Sequence, residues 1–97
     1  MATFISLVGF TDQGIRSVKQ TTARAEAFKA MAQKVGVTVK DIYWTVGPHD
    51  VVIVMEAPDE ETVTSLLLSV GALGNVRTQT LRSFSAEEMN RIITKMP

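Results

Sequence analysis

Residues 51–55 read Val-Val-Ile-Val-Met, five apolar side chains in a row. The run is too short for a helix and rich in β-branched residues. It lies between two turn-forming stretches, Gly47-Pro48-His49-Asp50 and Ala57-Pro58-Asp59, and so reads as a strand over 51–56. Successive side chains of a strand point to opposite faces, which makes this one apolar front and back. A strand with one wet face alternates apolar and polar residues instead. Whatever this chain folds into must therefore cover both faces of the sheet that holds 51–55.

The remaining segments supply one of those covers. Thr3 to Phe10 is β-branched and aromatic and reads as a first strand, with Phe4, Val8 and Phe10 on one side and Ile5 and Leu7 on the other. Thr11 or Asp12 can cap a helix by accepting free amides of its first turn. Ile15, Val18, Ala25, Phe28, Met31, Ala32 and Val35 recur at helical spacing. They predict a helix of about five turns, kinked or restarted at the β-branched Thr21-Thr22 and ended by Gly36. Thr38 to Val46 is a second strand, with Asp41, Tyr43 and Thr45 facing one way and Ile42, Trp44 and Val46 the other. Asp59, Glu60 and Glu61 place negative charge at the start of a second helix, whose inward stripe is Val63, Leu66, Leu67 and Val70. Gly71 to Asn75 unwinds it, and Val76 to Phe84 forms a fourth strand. Ser85, with Glu88 three residues on, is a capping box that opens a short C-terminal helix.

The order β-α-β-β-α-β followed by α is the split β-α-β arrangement of the α+β ferredoxin-like fold, with an antiparallel four-stranded sheet. At 97 residues, without linker or repeat, the chain is one domain spanning 1–97. Both long helices lie on one face. The other face is covered either by the C-terminal helix or by a second subunit. Burying four or five extra side chains in a partner gains roughly 6–15 kcal/mol before association costs, comparable with the whole stability of a small domain. A two-fold homodimer, or a higher homo-oligomer built from it, is the expected closure.

Charge and composition narrow the partners. Ten basic and ten acidic side chains cancel, so nucleic acid and anionic membrane, which need clustered positive charge, are not expected. The sheet also lacks the exposed aromatics on its central strand that single-stranded RNA stacks on. No cysteine is present, which removes disulfides, thiolate metal sites and cysteine nucleophiles. Residues 1–14 carry no basic leader, and no stretch approaches the roughly 20 apolar residues of a membrane span. The expected location is the cytoplasm.

Few residues offer chemistry. His49 is the one histidine, with an ordinary pKa suited to acid–base work, and Asp50 follows it. These are the two candidate catalytic groups, although neighbours on a strand face opposite ways. Gly47, Pro48 and Asp50 are equally the residues of a tight reversal between two strands. One histidine is a poor start for zinc, and Asp50 with Glu56 makes at best a weak oxygen site, so neither a metal nor a cofactor is expected. Gly71-Ala72-Leu73-Gly74-Asn75 follows a helix instead of opening one and is no phosphate loop. Arg77 and Arg82 fall on opposite faces of the fourth strand, where either can pair with an acidic residue such as Glu56. Tyr43 and Trp44 each join a large ring to a polar donor. A ligand pocket is expected near them, bordered by Thr11, Gln13 and His49.

One family shares these features. Tyr43-Trp44-Thr45-Val46-Gly47, then Asp50, then Glu56-Ala57-Pro58-Asp59, resembles the GYD domain family. So do Gly71-Ala72-Leu73-Gly74-Asn75-Val76-Arg77-Thr78, Thr80-Leu81-Arg82 with Phe84, and the early Phe10-Thr11-Asp12-Gln13-Gly14. The resemblance implies a small bacterial protein of the dimeric α/β-barrel type, with no established activity to carry over. His49 occupies the tyrosine position of the family's glycine-tyrosine-aspartate signature, and Thr22 stands where a proline is expected, so any role of that tyrosine hydroxyl is lost. Three functions fit: an oligomeric small-molecule-binding or regulatory module, a cofactor-independent monooxygenase- or isomerase-like enzyme acting on a small apolar compound, and a structural subunit that binds a protein partner.

Overall fold

A computed structural model describes all 97 residues. Four strands, β1 (Ala2–Phe10), β2 (Thr38–Trp44), β3 (Val51–Ala57) and β4 (Val76–Ser83), form one sheet in the order β2-β3-β1-β4. Every neighbouring pair is antiparallel, giving the expected ferredoxin-like topology. The helices are α1 (Asp12–Arg16), α2 (Thr21–Lys34), α3 (Glu60–Ala72) and α4 (Ala86–Ile93). No helix is long and apolar enough to cross a membrane.

The first helical segment is divided where the threonines stand. A 3₁₀ turn, Val18–Gln20, separates α1 from α2, and α2 starts at Thr21. This break resets the helical phase. Ile15, Val18 and Val35, three positions of the single periodic stripe, are exposed, while Phe28 and Ala32 are buried. Of the two residues offered for the first cap Thr11 serves, the capping box at Ser85 is as expected, and Asp59, expected only as helix-start charge, is a cap as well. Thr11 Oγ1 accepts the Gly14 amide, and Asp59 accepts the Thr62 amide at 2.8 Å. Ser85 and Glu88 exchange both bonds of a capping box. The bond from the Thr62 amide holds the Asp59 carboxyl below its ordinary pKa, and the bond from the Ser85 amide does the same for Glu88.

Register decides which residues share a face. Phe4, Ser6 and Val8 on β1 and Val51, Ile53, Met55 and Ala57 on β3 are buried beneath α2 and α3. They join Phe28, Ala32, Val37, Val63, Leu66 and Leu67, so the hydrophobic core lies wholly on this side. Ser6 is fully buried there and satisfied by Thr80, Oγ to Oγ1 at 2.7 Å. On the opposite face Ile5 pairs with Val54 and Leu81, and Leu7 with Val52. None of these five is buried.

The C-terminal helix does not cover that face. No residue of α4 is buried, and it makes no extended contact with the sheet or the other helices. The protein measures 50 × 31 × 19 Å with a radius of gyration of 14.6 Å, against about 12.5 Å for a compact domain of this length. Arg82 anchors the start of α4. Its guanidinium lies 4.4 Å from the centre of the Phe84 ring, 3.5 Å from Glu60 and 4.0 Å from Glu88. Glu56 pairs instead with Lys40, at 3.3 Å; Lys40 sits at a bulge between Val39 and Asp41 in β2.

Candidate functional site

A cavity of about 190 Å³ lies between the helix layer and the sheet, at the end where β1 stops and β4 begins. Its position follows from the shape of the layers. Phe28 and Leu67 bring α2 and α3 onto the sheet centre over Val8, Val51 and Ile53, all buried. Towards Phe10, Trp44 and Val76 the side chains no longer meet, and the space opens. Fourteen of the 18 lining residues are hydrophobic, so the floor offers dispersion contact and almost no hydrogen bonding.

The rim is more polar and is held in place by specific bonds. Trp44, 44% exposed, donates its indole Nε1–H to Thr21 Oγ1 at 3.0 Å, tying β2 to the first turn of α2. Arg24 lines the same opening. Its Nη1 donates to Ser17 O and Oγ at 3.0 and 2.9 Å, and its Nη2 to Gly14 O at 3.2 Å. Leu73 and Asn75 form the wall beyond α3. That wall is fastened to α1: the Thr11 amide donates to Asn75 O (3.1 Å) and Thr11 Oγ1 to Gly74 O (2.6 Å). Gln13 Nε2 donates to Leu73 O (3.0 Å) and Asn75 Oδ1 (2.9 Å). Gly14 presses on the same turn, and a Cβ there would sit 2.8 Å from the Asn75 carbonyl carbon.

The residues singled out from the sequence are thereby divided. Trp44 lines the cavity. Thr11 and Gln13 stand behind its wall and fix Leu73 and Asn75. Tyr43, opposite Val52, is on the other face of the sheet and exposed. His49 and Asp50 lie in the β2–β3 turn. Strand β2 stops at Trp44, two residues earlier than its alternation predicts, because Thr45 turns inward on this loop. Its amide donates to Asp50 O at 2.8 Å and its hydroxyl to His49 O at 2.6 Å. Gly47, with φ of 129°, makes the reversal in a conformation that residues with a Cβ avoid. The Asp50 carboxylate accepts the Phe10 amide at 2.8 Å, and the Asp50 amide donates to Val8 O at 2.8 Å. The turn is thus buttoned to the end of β1. No three His, Cys, Asp or Glu side chains are arranged so that they could hold a metal ion.

The sequence reading did not place Arg24, Leu73 or Asn75 at the pocket, although the last two belong to the stretch that resembles the GYD family. Arg24 had a signal: it falls four residues before Phe28, so a charge occupies the inward stripe of α2. Asn75 had none, since only the docking of α1 brings residue 75 beside residue 14.

The model of the GYD domain matches residues 4–93. The chain belongs to the GYD domain family. It is also 33% identical over 90 residues to a Thermus thermophilus protein named "Glutamine synthetase and cystathionine beta-lyase binding protein", covering 92% of this chain and 95% of that one. In this GYD domain the family match takes in β1 from Phe4, the other three strands, the cavity and all of α4.

Proposed function

We propose that this GYD domain is a regulatory protein-binding module that works as a homodimer and docks onto a metabolic enzyme. The observation that carries the reading is the open sheet face, where Ile5, Leu7, Val52, Val54 and Leu81 lie side by side, none of them buried and with no helix packed extensively against them. Four strands about 4.8 Å apart and about 24 Å long present roughly 450 Å² per copy. Two such faces bury roughly 900 Å², short of the 1,200–2,000 Å² of a stable interface. The arm of α4 and the tail after it supply the difference, since Met89 and Ile93 on the helix and Met96 beyond it are exposed.

The relative's name supports protein binding, and a homologous partner here is glutamine synthetase or cystathionine beta-lyase from the same cell. Binding is favoured over turnover because Asp50 is engaged by the Phe10 amide and His49 sits in a loop outside the cavity lining.

The test is sedimentation of the wild type and Val54→Lys at micromolar concentration, followed by binding of each to purified glutamine synthetase and cystathionine beta-lyase. The expected result is a wild-type dimer, a folded Val54→Lys monomer, and enzyme binding by the wild type alone. A monomeric wild type overturns the sheet-face dimer. Failure to bind either enzyme overturns the choice of partner.

A further inference from the structure

The cavity between the helices and the sheet is a site separate from the open face, on the other side of the strands. We infer that it binds a small carboxylate with an apolar body, either one aromatic ring or a short branched chain. Three observations lead there.

The first is size and lining. A dry apolar cavity of about 150 Å³ accommodates benzene, so 190 Å³ admits one ring and a few further atoms but no long acyl chain. The floor of Val8, Phe28, Val51, Ile53 and Leu67 suits such a body. The second is charge. Arg24 is the sole charged residue among those lining the cavity, and no carboxylate pairs with it. Its bonds to Ser17 and Gly14 go to neutral oxygens and hold the guanidinium in place. They leave its Nε–H and one Nη2–H without a partner in the chain. A half-buried, fixed and unneutralised guanidinium beside an apolar space is complementary to a carboxylate group. The third concerns what the site excludes. No acidic side chain lines the cavity, so an α-ammonium group would go unpaired beside Arg24, at a cost in desolvation and repulsion. The site therefore selects an aryl or 2-oxo acid over the corresponding amino acid.

Trp44, the single tryptophan, sits on the rim, so binding can be followed by its fluorescence. Phenylacetate, phenylacetamide and phenylalanine are titrated into the intact protein, with heteronuclear NMR shifts used to locate each effect. Phenylacetate is expected to saturate at millimolar concentration or below and to shift the amides around Arg24, Trp44 and Asn75. The amide and the amino acid are expected to bind at least about tenfold more weakly, the value of one charge-assisted hydrogen bond. Arg24→Met should remove the preference for acid over amide. Because Arg24 also braces Ser17, Ala25→Leu, which fills the cavity from α2, provides a second variant that leaves those bonds in place and should abolish binding of all three. No saturable binding of phenylacetate, equal binding of acid and amide by the wild type, or shifts confined to the open sheet face would each overturn the proposal. Dimerisation and enzyme binding are read separately, so the two proposals fail independently.

Discussion

Replacing Gly14 by alanine sets two effects of opposite sign against each other. Gly14 lies within α1 in ordinary helical backbone, where glycine costs up to about 1 kcal/mol relative to alanine. Local propensity therefore predicts a more stable protein. The structure predicts the reverse. An alanine Cβ would lie 2.8 Å from the Asn75 carbonyl carbon, against the 3.4–4 Å of ordinary contact, and nearer still to its oxygen. Both partners are backbone, so no side chain can rotate away. Relief requires α1 to move off the 73–75 turn, which breaks both Thr11 bonds to Gly74 and Asn75 and at least one from Gln13. At about 1 kcal/mol each, the loss is about 3 kcal/mol, offset by the propensity gain to about 2 kcal/mol. For a domain of this size that lowers Tm by roughly 8–16 °C. Urea denaturation with a two-state fit, alongside calorimetry, measures it. A Tm equal to or above the wild type would refute the docking of α1 on Asn75 and with it the cavity wall.

Three further outcomes are expected. Asp50→Ala should cost about 1–2 kcal/mol by orphaning the Phe10 amide, whereas His49→Ala, whose backbone carbonyl alone is used, should stay within about 0.5 kcal/mol; paired urea curves decide. Phe28→Ala should cost about 3 kcal/mol, the low end for a buried phenylalanine, because its ring already borders empty space. Asp59 and Glu88 are both held below their ordinary pKa by helix-cap hydrogen bonds, so the folded protein binds fewer protons than the unfolded chain in acid. The stabilisation is complete above the unfolded values and is lost as pH falls through and below about 4. Tm measured from pH 6 to pH 3 should decline at the acid end, and less so in Asp59→Asn; an identical decline in that variant would count against the α3 cap as a source.

Some elements were legible because their causes are local. The caps at Thr11 and Ser85 each act over three residues, and the two-residue period of an extended strand sorts the side chains of β1 and β3 into two sets. The helix restart at Thr21 was legible for the same reason. Its consequence for phase was not: once α1 and α2 part, Ile15 and Val18 leave the stripe that Phe28 and Ala32 keep. The bulge at Lys40 and the early end of β2 at Trp44 depend on partners across the sheet and across the turn.

What the sequence determined by itself is the ferredoxin-like order of elements and the double-sided greasiness of Val51 to Met55, since periodicity and capping are encoded between near neighbours. Only the tertiary structure decided that α4 leaves the second face bare, that Asp50 grips the end of β1, and that Arg24 stands unneutralised beside an apolar cavity. Each of those outcomes depends on how whole elements meet, through contacts between residues far apart in the chain, such as Phe10 and Asp50, 40 positions apart. No local pattern carries that information, because a contact at such a separation exists only after the layers have packed.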